Sequence, residues 1–479
     1  MSTSNQTVLL SDAAIAPVWG EDEYLVPELQ PSLQGLRHSV AVPQAARGFL
    51  SQLKAFIGPA VLISVGYMDP GNWGTDLQGG AQFRYVLLSV VALASAMAVI
   101  LQILSARLGV VTEKDLAQCC RDWYPRWTRI PNWLLSEVAI GACDLAEVLG
   151  SAVAINLLFH VPMLWAVLLT GFDVLLLLTL QGLRMRMIEA LVVVLVTTIA
   201  SCYGVEIFVL PAAHPDILTM GSDIFRPHLQ ADMVFAAIGI IGATVMPHNL
   251  YLHSALVQSR KVQRDEPSIR TALRFNTLDS VVSLSVAFLI NAAILILAAH
   301  VFYNRGSVTL PSGESIALSA DCDWIRVAFL TLAPLLGTAA ASTLFACALL
   351  ASGQSSTITG TLAGQVVMEG FMNWRIRPWV RRLLTRSLAI LPAVVLIALR
   401  GERSITDLLI LSQVVLALQL PFAMFPLLHF TGSSKRMRQW KSGRFLMIAG
   451  WASAILITAL DIYGLPGLIR QTWQIVFGA

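Results

Sequence analysis

The chain has 479 residues, of which 56% are hydrophobic and only 13% charged, against roughly 25% charged in soluble domains. With a mean hydropathy of +0.70, it reads as a polytopic membrane protein, and a net charge of +3 is too small to argue for a nucleic-acid partner. The six cysteines show no CxxC spacing, which leaves neither a disulfide framework nor a zinc cage to expect.

From the N-terminus, residues 1–50 mix acids, prolines and polar residues with no charged region leading into an apolar one. No cleavable signal peptide is expected there; the stretch reads as a mobile cytoplasmic tail ahead of a transmembrane domain over 51–479. A bilayer core about 30 Å thick needs about 20 mostly apolar residues per helix. That ruler gives eleven candidate spans, near 55–82, 86–107, 132–158, 162–182, 187–210, 233–257, 277–302, 328–352, 386–400, 405–430 and 444–468. An all-α fold is therefore expected.

Basic residues orient the spans, because cytoplasmic loops retain Lys and Arg. With the N-terminus inside, the tail and the even-numbered loops hold 25 of the 32 Lys and Arg residues. The alternation runs without a slip and places the C-terminus outside.

Two spans are interrupted. The first reads "FIGPAVLISVGYMDPGNWGTDLQGGAQF" and the sixth "VFAAIGIIGATVMPHNLYLHSALVQ". Each is apolar for about a dozen residues, meets Pro70 or Pro247, and continues as a more polar half. Proline removes a backbone donor and clashes with the preceding turn, and in lipid a freed carbonyl must find another partner. Interrupted segments at corresponding positions of two halves point to inverted repeats with a binding site between them. The repeats are expected over about 55–210 and 233–430, with the helix near 444–468 an addition.

In the first break Asp69 offers an anionic oxygen and Asn72 a carbonyl oxygen. In the second, Met246 offers a thioether and the backbone before Pro247 a carbonyl such as that of Ala243. Both pairs are three residues apart and face the same way if the backbone stays near helical. This is a cation site with one soft ligand: Mg²⁺ and Ca²⁺ prefer oxygen alone, so the set suggests a divalent first-row transition metal. An unpaired charge at mid-bilayer costs at least about 2.5 kcal/mol, which makes Asp69 a functional residue. On this reading Asp69 and the released carbonyls replace the ion's water shell.

A second cluster lies on the third span, where Glu137, Asp144 and Glu147 share a helix face, and His248 and His253 follow the second break. Carboxylates and imidazoles inside a membrane are the usual parts of a proton relay; equally, the acids could pair with basic residues such as Arg260 or Arg386 as structural salt bridges. The two readings are not exclusive. "SGQSSTITGT" after the eighth span suits close helix approach or a second ion's oxygens.

At these residues the chain resembles the natural resistance-associated macrophage protein (NRAMP) family, in particular bacterial proton-coupled manganese transporters. The likeness is carried by "GYMDPGNWGTDLQGG", "GATVMPHNLYLHSALVQSR", "SGQSSTITGTLAGQVVMEGF" and "LLTRSLAILPA" and extends from about residue 50 to the C-terminus. The resemblance implies a LeuT-like fold of eleven or twelve spans, with the metal held by Asp69, Asn72, Ala243 and Met246. It also implies that Gln413 on the tenth span joins them when the site occludes. The proton-pathway network would comprise Asp144, Glu147, His248, Arg260 and Arg386, with Asp69, Glu137 and His253 beside it. Met246 argues for the Mn²⁺ and Fe²⁺ branch over magnesium-transporting relatives.

The sequence thus predicts no enzyme but a proton-coupled importer of Mn²⁺ and Fe²⁺, with Cd²⁺ and Co²⁺ as plausible further cargo. It predicts no permanently bound cofactor and no obligate protein partner, with the bilayer of the bacterial cytoplasmic membrane as surroundings. No Walker-type loop suggests ATP use. The rivals are a carrier of the same fold for an amino acid or another solute, a magnesium-transporting relative, a channel, and an intramembrane metalloenzyme. For the last, "HNLYLH" lacks the HExxH geometry.

Overall fold

The computed structural model describes residues 37–43, 48–172, 185–205, 217–225, 230, 233–309, 315–318, 324–336, 339–374, 376–400 and 404–477, all within one compact unit, Pro31–Ala479. Most of the expected tail, residues 173–182 of the fourth span, 206–210 of the fifth and 337–338 of the eighth lie outside the described residues.

The first span is three helices: α1 (Phe49–Phe56), α2 (Pro59–Gly66) and α3 (Pro70–Phe83). After α4 (Leu88–Thr112) and the short α5 (Leu116–Trp123) come α6 (Arg129–Phe159), α7 (Met163–Leu169), α8 (Met185–Gly204) and α9 (Ile217–Phe225). The sixth span is α10 (Val234–Thr244) and α11 (Pro247–Leu256), followed by α12 (Glu266–Phe302), α13 (Trp324–Leu336) and α14 (Ala339–Met372). The chain closes with α15 (Pro378–Arg400), α16 (Ser404–Thr431), α17 (Ser434–Met437) and α18 (Arg444–Phe477). Apart from the breaks at 57–58, 67–69 and 245–246 and a residue or two at span ends, helix covers the described part of every candidate span. By length and apolarity alone, eight helices among the described residues are fit to cross a membrane, or nine if α1 and α2, bent by 47°, count as one span. Three candidate spans are not among these helices: the first is divided, the fourth and eighth extend into residues outside the described ones, and Ser352, Gln354, Ser355 and Ser356 make α14 less apolar.

The breaks have identifiable local causes. Proline stands at the first position of α2, α3 and α11, where its missing N–H costs nothing. Asp69 caps α3, its side chain accepting from the Asn72 amide. The start of α2 is capped from outside its own segment: Asp279 of α12 accepts from Gly58 N at 3.2 Å and Ala60 N at 2.9 Å. Gly58 has φ +135, a conformation only glycine adopts without strain.

Around the divided helices, α14 packs along α6, α12 along α3 and α4, and α16 along α6 and α10. Trp73 anchors α3 sideways, edge-on to Tyr203 of α8 and Phe345 of α14 at 5.1 and 5.3 Å. The outer surface is apolar, with Phe445, Ile448, Ile455 and Ile462 of α18 exposed, as expected of a helix against lipid. Two small sheets complete the described fold. Strand β1 (Val40–Ala41) pairs in parallel with β2 (Arg260–Lys261), and β3 (Ser307–Thr309) pairs antiparallel with β4 (Ser315–Ala317). The first pairing docks the end of the expected tail against the chain that leaves α11.

Candidate functional site

The two breaks meet. Asn72 Nδ2 donates both to Asp69 Oδ1 at 2.8 Å and across to the carbonyl oxygen of Ala243 at 3.0 Å. Asp69 Oδ1 also accepts from the Asn72 backbone at 2.9 Å, so one carboxylate oxygen is engaged while Oδ2 is buried without a partner. Asp69, Asn72, Ala243 and Met246 are all sealed from solvent. The Asn72 amide therefore lies between two acceptors, a carboxylate and a carbonyl, that a cation could equally bridge.

The carbonyls released at the first break have other partners. Asn291 of α12 donates to Tyr67 O at 2.8 Å and, at 3.4 Å, to Asn72 Oδ1. Met68 O accepts from Trp73 Nε1 at 3.2 Å and Ser352 Oγ at 2.5 Å. Unlike the carbonyls of Tyr67 and Met68, that of Ala243 faces the opposite break. Gln413 of α16 completes the surround: a Cβ on Gly71 would lie 1.9 Å from Gln413 Nε2, so that side chain rests directly against the first break. Its Oε1 is buried and unpartnered.

Among the described residues, no group of three or more His, Cys, Asp and Glu is arranged to hold a metal. The donor set at the breaks is of another kind, with one carboxylate, two carboxamides, one thioether and one backbone carbonyl. It offers several oxygens and a single sulfur, a mixture that suits borderline divalent ions better than Mg²⁺ or Ca²⁺.

Beside the breaks runs a chain of buried ion pairs. Arg382 of α15 holds both acids of α6, Asp144 directly and Glu147 at 3.0 Å. Arg386 approaches Glu147 at 3.7 Å, and Thr357 of α14 donates to Glu147 at 3.1 Å. Cys143 reaches from Glu147 at 3.7 Å to His248 Nε2 at 3.8 Å, linking the acids to the second break. Further along α6, Glu137 pairs with Arg381 at 2.7 Å. Arg260 belongs to a different cluster: it pairs with Glu189 of α8 at 2.7 Å and donates to Ile57 O at 2.8 Å. His253 likewise turns aside, to Gln102 of α4 at 2.9 Å, which in turn donates to Tyr67 OH at 2.8 Å.

Of the residues singled out in the sequence, Asp69, Asn72, Ala243 and Gln413 converge, and Met246 lies at the second break. Asp144, Glu147, His248 and Arg386 share one network, Glu137 stands nearby, and Arg260 and His253 sit apart. Sequence reasoning missed Asn291, Asn249, Arg382, Glu189, Asp279 and Gln102, and reached Thr357 only as part of "SGQSSTITGT". Several carried a signal: a lone Asn, Gln or acid inside an apolar run, as in "FLINAAILIL" or "VILQILSA", is itself a mark of a functional or paired position.

Divided helices meeting around buried polar groups, in an all-α multi-pass bundle, define a membrane protein of LeuT-like fold. Residues 60–466 match the model of the family Nramp, natural resistance-associated macrophage protein-like, and the chain belongs to that family. It is 48% identical over 437 residues to a divalent metal cation transporter MntH of Listeria monocytogenes, covering 90% of this chain and 94% of that one. It is similar to the crystal structure of an Eremococcus coleocola manganese transporter, at 39% identity and a TM-score of 0.80 over 92% of both chains. A likeness to Mhp1, a nucleobase-cation-symport-1 family transporter, at 12% identity and a TM-score of 0.57 over 91% of this chain and 95% of that one, concerns the fold alone. The expected family and fold class are thereby borne out.

Proposed function

We propose that this chain carries divalent transition-metal ions, Mn²⁺ first and Fe²⁺ with it, across the bacterial cytoplasmic membrane by alternating access, in symport with protons. Cd²⁺ and Co²⁺ are further candidate cargo. The single observation that carries the reading is the meeting of the breaks at Asn72 and Ala243, 3.0 Å apart, beside a buried carboxylate with a free oxygen. The names of the relatives agree with it, and the alternation of basic residues supports a cytoplasmic N-terminus. Asp69 would bind the ion electrostatically, Asn72 and Ala243 would supply neutral oxygens, and Met246 would disfavour hard cations. Gln413, already against Gly71, would close over the ion from the tenth span. The Asp144–Glu147–Arg382 group offers a path for protons connected to the breaks through Cys143 and His248.

The test is Mn²⁺ uptake into proteoliposomes under an imposed pH gradient. Asp69→Ala should abolish it in protein that remains monodisperse, and retained uptake would remove the carboxylate from the site. Met246→Ala should admit Ca²⁺; undiminished exclusion of Ca²⁺ would refute the role of sulfur. Uptake indifferent to the pH gradient would refute symport.

A further inference from the structure

Met246 is unbranched, with three rotatable bonds, so a thioether that is to meet an ion needs something to hold its sulfur. The first turn of α11 supplies it. Asn249, the third residue of α11, reaches back to the residue that precedes the helix and donates from Nδ2 to Met246 Sδ at 3.7 Å. Both side chains are wholly buried. The carboxamide is itself fixed from the opposite break: a Cβ on Gly66, the last residue of α2, would lie 2.4 Å from Asn249 Nδ2. Asn249 is therefore wedged between the end of α2 and the sulfur, with little freedom to turn. Its Oδ1 is buried without a partner.

We infer that Asn249 is a specificity-determining positioning residue, fixing the direction of the Met246 thioether and thereby the preference for soft over harder divalent cations. The inference rests on the metal-transport reading and extends it to a residue outside the proposed ligand set. A thioether sulfur has two lone pairs, so one can accept from Asn249 while the other faces an ion. Without the amide, Sδ samples several rotamers, and the cost falls on the ion that depends most on sulfur. Hard-ion binding, carried by Asp69, Asn72 and the Ala243 carbonyl, loses little.

The test is competition calorimetry on the full-length protein in detergent, measuring the ratio of Cd²⁺ to Mn²⁺ affinity. Asn249→Leu keeps the branching at Cγ, though it is larger, and removes the donor; Asn249→Ala is the second variant should the first fail to remain monodisperse. The expected result is a fall in the ratio of about three- to tenfold, the range of one net hydrogen bond. In a Met246→Ala background the same substitution should leave the ratio within about twofold. A merely structural role would lower both affinities together, or act equally in both backgrounds, and either result overturns the inference, as does an unchanged ratio. Failure of the unaltered protein to bind Mn²⁺ or Cd²⁺ would instead sink the metal-transport reading.

Discussion

Replacing Arg382 by Met tests whether the charges beside the breaks act as one unit. Arg382 is 1% exposed and holds Asp144 and Glu147 at once. Removing one partner of a buried ion pair costs about 3–5 kcal/mol, because a charge is left uncompensated, whereas removing all the charges is often nearly neutral. Arg386 remains 3.7 Å from Glu147 and Thr357 still donates to it, so the lower end, about 3 kcal/mol, is expected for Arg382→Met. The triple variant Arg382→Met, Asp144→Asn, Glu147→Gln should recover most of that loss. Thermal unfolding in detergent, followed by the monodisperse fraction on size exclusion, measures both. A single variant as stable as the parent, or a triple variant no better than the single, would refute the reasoning.

Three further outcomes follow from particular contacts. Gly58→Ala should lower the melting temperature, since its φ of +135 strains any side chain and the new Cβ would lie 2.3 Å from Glu189 Cδ; strain of this kind costs about 1–3 kcal/mol, and an unchanged melt would contradict it. Gly71→Ala would put a Cβ 1.9 Å from Gln413 Nε2, so metal uptake should fall steeply while the melt changes less, since the end of a flexible side chain can yield at the cost of its 2.9 Å hydrogen bond to Ser412 Oγ. Burial pushes the Asp115 carboxyl, at the start of α5 outside the spans, up from 3.8 to about 6. The folded form therefore holds that proton more tightly than the unfolded chain, and this contribution to stability is fully present below pH 3.8 and lost as pH rises through about 6. Amide exchange over Leu116–Trp123, corrected for intrinsic rates, should show less protection at pH 7.5 than at pH 5, and Asp115→Asn, which still caps the helix, should flatten the difference.

The divided helices were legible because proline is a local signal: Pro70 and Pro247 act on their own backbone wherever the helix packs. Asp69 and Met246 could be read for the same reason, lying within a residue of those prolines. The partners were not legible. Whether Asp144 meets Arg382 or Arg386, four residues apart on one helix, depends on how α15 is rotated against α6, and no local pattern fixes that. Arg260 was a reasonable partner for the α6 acids by charge, yet Glu189 and the carbonyl of Ile57 take it, because the chain leaving α11 lies against the end of α1, where Arg260 also reaches Ala55 O. Asn291 and Asn249 carry only the weak mark of a lone carboxamide inside a span, and which break each one serves is set by how the helices pack.

The meeting point of the breaks has one ionisable side chain, Asp69, among otherwise neutral donors. A dication bound there as proposed turns the site's charge from minus one, with Asp69 ionised, to plus one, so the loaded and the empty carrier would respond to the membrane voltage in opposite senses. At about 2.3 kcal/mol per charge for every 100 mV, an interior-negative potential would favour delivery of cargo inward, so that transport should carry current and respond to an imposed diffusion potential even at equal pH on both sides.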